Sequence, residues 1–184
     1  MLLSLVGKSE DVSFCRDTLF RINVSETTPP IDLPANIACM VSLGGEKAMT
    51  EIDDRFLRSQ SASTSAVNAV VSAIRVLEQE LHALSKERLS ASLRLVLERE
   101  DMADYVIPDL ARWEDWSAME RLDQLFYESD TDHSFVRIPI FNYMRICPRP
   151  EAKQLLKKME SADPSSAQRA AMLFGYKSLE PEPK

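Results

Sequence analysis

The sequence predicts an all-α protein, an α-solenoid of about five stacked antiparallel helix pairs. Three observations predict it. Apolar residues recur at spacings of three and four along most of the 184 residues, the mark of helices with one buried side. Only four glycines occur, while residues that lose little rotamer freedom in a helix are plentiful. Finally, apolar and proline positions repeat at thirty-one and thirty-seven residues, periods that correspond to one helix-turn-helix unit per copy.

The elements follow in order. Asp11 to Phe20 carries Val12, Phe14, Cys15, Leu19 and Phe20 as its apolar set. Ile22 to Pro34 holds Pro29, Pro30 and Pro34 and reads as a connector. A helix then runs to Leu43 and breaks at Gly44-Gly45, a C-terminal cap and turn. Glu46 to Arg58 follows, with Ala48, Met49, Ile52, Phe56 and Leu57 on one face. Ser59 to Ser65 is a loop supplying an N-cap, and Ala66 to His82 is a strong helix. Ser85 opens another, with Leu89, Leu93, Val96 and Leu97 inward, and Asp101 ends it.

A short helix closes at Trp113, and Asp115 to Glu128 presents Trp116, Met119, Leu122, Leu125 and Phe126. Ser129 to His133 is a polar loop. Phe135 to Ile146 and Glu151 to Ser161 form the next pair, the second with Ala152, Leu155, Leu156 and Met159 inward. Asp163-Pro164 starts a last helix with proline at its first position. The β-branched patch Val136 to Ile140 is the nearest thing to a strand, and Pro139 in its middle argues against a central one.

The repeat rests on particular residues. Ile107-Pro108-Asp109-Leu110 is echoed by Ile138-Pro139-Ile140-Phe141, and Trp113, Trp116, Glu120 and Leu125 then match Met144, Cys147, Glu151 and Leu156. A second echo links Leu5-Val6-Gly7 with Ser42-Leu43-Gly44. One helix pair has two apolar sides and cannot bury both alone, whereas stacked pairs close the core. The pairs fall at about 1–20, 33–58, 66–99, 102–128 and 135–161, in a single domain over 1–175 with a disordered tail over 176–184. Pro108 and Pro139 either bend the first helix of a unit or mark its first turn.

Several stretches together carry a resemblance: Leu43 to Glu46, Val106 to Trp116, Phe135 to Pro139, Asn142 to Pro148, and Asp163-Pro164. The chain resembles a group of uncharacterised bacterial HEAT-like repeat proteins from about Leu3 to Ala171. That resemblance implies a HEAT-like α-solenoid and carries over no catalytic residue. Longer relatives tend to have an N-terminal export or anchor region. Here the apolar stretch Met1 to Val6 is too short for a signal peptide, and helical pattern begins at once. A chain truncated at its N-terminus is expected, cytoplasmic if it is complete and exported if a leader is missing.

The formal net charge of -7 disfavours wrapping a nucleic acid backbone. No stretch has the length and apolarity of a membrane span. Cys15, Cys39 and Cys147 are widely separated and odd in number, which reads as buried small hydrophobes rather than a disulfide framework. His82 and His133 have no second ligand at metal spacing. Asp130-x-Asp132 lacks the turn glycine and distal glutamate of a calcium loop. Asp53-Asp54 and Glu114-Asp115 read as solvated charge. No catalytic residue, metal or cofactor is expected.

One constellation is dense. Asp109, Arg112, Trp113, Glu114, Asp115 and Trp116 bring both tryptophans of the chain around one turn, and Arg137, Asn142, Tyr143 and Arg145 extend it on the following unit. An aromatic pair flanked by arginine and carboxylates has the composition of a binding hot spot. The competing account makes it a packing seam, with Trp113 closing one helix, Trp116 opening the next, and Arg112 paired to a carboxylate of the adjacent unit. The function expected is a non-enzymatic scaffold whose inner face binds a protein or peptide. The alternatives are a structural segment of a larger HEAT-repeat protein and, less favoured by the charge, a HEAT-like enzyme acting on nucleic acid.

Overall fold

The computed structural model describes residues 9–25, 27–99, 101–129 and 135–177, and among them every regular element is helical. Leu5 to Gly7, Asp130, Asp132, His133 and the tail over 178–184 lie outside the described residues. The chain gathers into two compact units, Met1–Val96 and Leu97–Lys184.

In the first unit, α1 (Ser9–Phe20) packs on α2 (Leu33–Ile52), which also carries α3 (Thr64–Val76). Pro34 sits in the first turn of α2, where its missing N–H costs nothing. The predicted break in α2 falls at Gly45, whose φ of 59° and ψ of -143° no L side chain adopts without strain. Beyond Ile52 the helix widens into a π-turn over Asp53–Leu57, closed by the Arg58 N–H donating to the Asp53 carbonyl at 2.8 Å. That extra residue per turn lets Phe56 and Leu57 both point inward, joining Ala48, Met49 and Ile52 in the core.

Ser63 caps α3, its side chain accepting from the Ala66 N–H at 3.1 Å. Nearly every apolar residue of α3 from Ala66 to Ile74 is buried, so this helix lies in the middle of its unit rather than at an edge. A second π-turn, Leu77–Leu81, ends at His82 in the left-handed conformation. The last helix of the unit is α4 (Lys86–Val96), started by Ser85 accepting from the Arg88 N–H. Its Arg88 reaches the buried Asp53 carboxylate at 2.8 Å and Ser92 at 2.7 Å, fixing α4 against the first π-turn.

One expectation fails in α1. Phe14 belongs to the apolar set that the sequence predicts, yet it is 73% exposed. Among the described side chains of the set, Cys15 and Leu19, four apart, are the inward ones, and Phe14 lies one residue round the helix from Cys15; the side chains of Val12 and Phe20 lie outside the described residues.

The second unit holds α5 (Ala103–Arg112), a short 3-10 turn at Trp116–Ala118, α6 (Met119–Glu128), α7 (Arg137–Ile146), α8 (Pro150–Ala162) and α9 (Pro164–Lys177). The sequence-adjacent helices α7 and α8 pack together, but so do the alternate ones: α5 on α7, α7 on α9, and α6 on α8. The patch Val136 to Ile140 is helical. Pro108 and Pro139 divide the two readings given above, for Pro139 lies in the first turn of α7 while Pro108 lies inside α5 on its exposed side. There the carbonyl one turn back, left without a helical donor, is on the solvent side.

The thirty-one-residue echo holds in first helices and fades in second ones. Leu110 and Phe141 are both buried, as are Trp113 and Met144, and Glu120 and Glu151 are both exposed, whereas buried Leu125 corresponds to half-buried Leu156 and half-buried Trp116 to buried Cys147. In α8 only Ala152 and Met159 are fully inward; Leu155 and Leu156 are half-buried.

Candidate functional site

The dense constellation starts from how α5 ends. Trp113 is its C-cap, Glu114 adopts a left-handed conformation (φ 60°), and two bonds close the terminus. The Asp115 N–H donates to the Leu110 carbonyl at 2.9 Å, and the Glu114 N–H to that of Ala111 at 3.1 Å. This is a Schellman arrangement built on glutamate where glycine is the usual choice. It turns the chain sharply, so that Asp115 and Trp116 meet α7.

The contact with α7 is specific. Tyr143 is fully buried, and its hydroxyl donates to the Asp115 carbonyl at 2.6 Å. The Trp116 ring meets the Tyr143 ring edge to face, centroids 5.2 Å apart, a geometry matched to the aromatic quadrupole. Asp115 accepts from the Ser117 hydroxyl. Next along α7, Asn142 accepts from Arg145 at 3.3 Å, and Arg145 also donates to the Ala167 carbonyl in α9 at 3.1 Å.

The remaining expected residues divide between interior and surface. Trp113 is 5% exposed, and its indole N–H is buried with no acceptor. Asp109 is buried, and Arg112, whose side chain is 53% exposed, pairs with it at 2.5 Å. Arg112 therefore bonds three residues back on its own helix instead of reaching a neighbouring unit, because the i, i+3 spacing brings the two together at no cost in chain ordering.

Arg137 stands apart from this group. It is buried, and its guanidinium pairs with Asp163 at 2.9 Å, donates to the Ser129 carbonyl at 2.5 Å and the Ser129 hydroxyl at 3.2 Å, and lies over the Phe126 ring at 4.9 Å. Asp163 in turn caps α9, accepting from the Ser166 N–H at 3.0 Å and the Ser165 hydroxyl at 3.1 Å. Burial works to raise the pKa of this carboxyl. The bonds from the Ser166 backbone and hydroxyl, from Arg137 and from Ser165 outweigh it and hold the group well below the usual carboxylate range.

Among the described residues, then, Asp115, Trp116 and Tyr143 come together directly, with Asn142 beside Tyr143 and Arg112 on the preceding helix. Arg112, Asp115, Trp116 and Asn142 keep accessible surface. Asp109, Trp113, Arg137 and Tyr143 are interior. One pairing had no sequence signal at all: Cys15 and Cys39, twenty-four residues apart, place their sulfurs 3.5 Å from each other. Among the described residues no group of three or more His, Cys, Asp or Glu is arranged to hold a metal ion, and no helix is long and apolar enough to cross a membrane.

No family model, curated protein or solved structure matches the chain.

Proposed function

We propose that the chain is a non-enzymatic HEAT-like helical-repeat scaffold that binds a protein or peptide through the surface around Trp116. The fold part of this reading is supported by the alternate packing of the second unit, where α5, α7 and α9 form one row and α6 and α8 another. Rows of that kind are how stacked pairs bury both sides of each unit.

The observation that carries the binding reading is the bracing of Trp116. It is half-buried, in edge-to-face contact with a buried Tyr143 whose hydroxyl is tied to the neighbouring backbone. An aromatic ring already ordered in the free protein loses little entropy on binding, and an exposed arginine and a carboxylate nearby supply a polar rim. Affinity capture tests this directly, comparing wild type with Trp116→Ala and Arg112→Ala. Both variants keep wild-type helicity and lose the same partners. Retention of every partner by both folded variants overturns the assignment.

A second reading, a structural segment of a longer stack, is favoured by Met172 and Leu173 of α9, 65% and 53% exposed. Apolar surface on an outer helix is what a further layer would cover. Substituting both by glutamate separates the two: a binding scaffold keeps its partners, and a segment loses its assembly.

A further inference from the structure

We propose that Cys15 and Cys39 form a reversible disulfide that clamps α1 to α2, with a small-molecule disulfide of the glutathione class as oxidant. The two cysteines lie on packed helices with their sulfurs 3.5 Å apart, in S–H···S hydrogen-bond contact and not joined by a disulfide. Closing that gap to a bond length of about 2.0 Å is within the reach of side-chain rotation and a small helix shift. Both residues are partly accessible, so a small oxidant reaches them, whereas Cys147 is 3% exposed at the end of α7. Their neighbours in sequence, Arg16 and Met40, line a cleft of about 90 Å³ between the helices. An Arg16–Glu51 ion pair at 3.0 Å already sets the register of α1 on α2.

The exchange balances without further reagents. One cysteine thiolate attacks a sulfur of the oxidant, expels one small thiol and leaves a mixed disulfide on the protein. The second cysteine, as thiolate, attacks the protein-side sulfur of that bond and expels the second small thiol. Two cysteine S–H bonds and the oxidant S–S bond give way to one protein S–S bond and two small thiols; the cysteines are oxidised and the oxidant reduced. The second step is intramolecular between held groups, which makes it fast compared with attack by solution thiol.

Thiol counting and peptide mapping of the full chain in glutathione redox buffers test the proposal, with Cys147→Ser as a parallel variant. The folded chain loses two thiols, yields a Cys15–Cys39 cross-link, and recovers both thiols on return to reduced glutathione. It does so at an oxidant concentration about tenfold or more below that needed by the same chain in denaturant. In Cys39→Ser, a persistent mixed disulfide at Cys15 replaces the cross-link. The proposal is overturned if the folded wild type accumulates stable mixed disulfides at either cysteine, or if folded and denatured chains oxidise alike.

Discussion

Arg137 is the residue on which most of the second unit converges, since one guanidinium serves α6 through Ser129, the Phe126 ring, and the cap of α9 through Asp163. Removing one member of a buried ion pair strands the other, so Arg137→Ala and Arg137→Met should each cost roughly 3–5 kcal/mol in urea unfolding, because neither leaves Asp163 a cationic partner. The sequence hid this role. An arginine opening a helix beside a polar loop reads as surface, and only tertiary packing turns it inward. Glu114 is a smaller case of the same kind. Its left-handed backbone costs an L-residue about 1–2 kcal/mol, and Glu114→Gly should raise stability by about 0.5–1 kcal/mol, net of the unfolded-state entropy that glycine adds. An unchanged or lowered unfolding midpoint would refute that account of the α5 terminus.

At the scale of elements, helix positions were legible because they depend on local chemistry. Ser63 and Ser85 as caps, Pro164 at the start of α9, and the break at Gly45 all follow from backbone donors and φ preferences that neighbouring residues decide. The π-turns at Asp53–Leu57 and Leu77–Leu81 were not legible. A single inserted residue looks in sequence like an ordinary helical run, and it persists only because packing rewards the wider turn. Gly45 offers a clean test. An added Cβ there meets nothing within 4 Å, so Gly45→Ala changes no folded-state contact and reports backbone strain, net of the unfolded-state entropy that alanine removes. The loss should be about 1–3 kcal/mol, read as a lower thermal midpoint, and a neutral result would mean the chain has another way to turn.

For the whole molecule, the all-α class was readable from periodicity, whereas the pairing of helices was only partly so. The repeat matched Leu110 with Phe141 and Trp113 with Met144, all buried, and Glu120 with Glu151, both exposed; it held less well for Leu125 and Leu156, the first buried and the second half-buried. In the second unit α5 and α7 pack closely and so share constraints, while α6 and α8 share only a light contact. Acid stability is a property at this scale, set in part by Asp163. Because its pKa is lowered on folding, the stability it lends is complete above the ordinary aspartate value. That contribution is lost as pH falls from about 4 toward the folded value. Circular dichroism across an acid titration should show Asp163→Asn already weakened at neutral pH and less sensitive to acid than wild type. Parallel titration curves would assign acid lability elsewhere.

The two tryptophans, so close in sequence, have opposite surroundings, and this gives the chain a built-in optical pair. Trp113, dry and without a hydrogen bond at its indole nitrogen, should emit at the blue end; Trp116, half-wet beside Tyr143, should emit further to the red and be open to acrylamide. A ligand seated on the proposed surface covers only the second. Its arrival should shield the quenchable, red-shifted fraction and leave the blue one untouched, without any label on the protein.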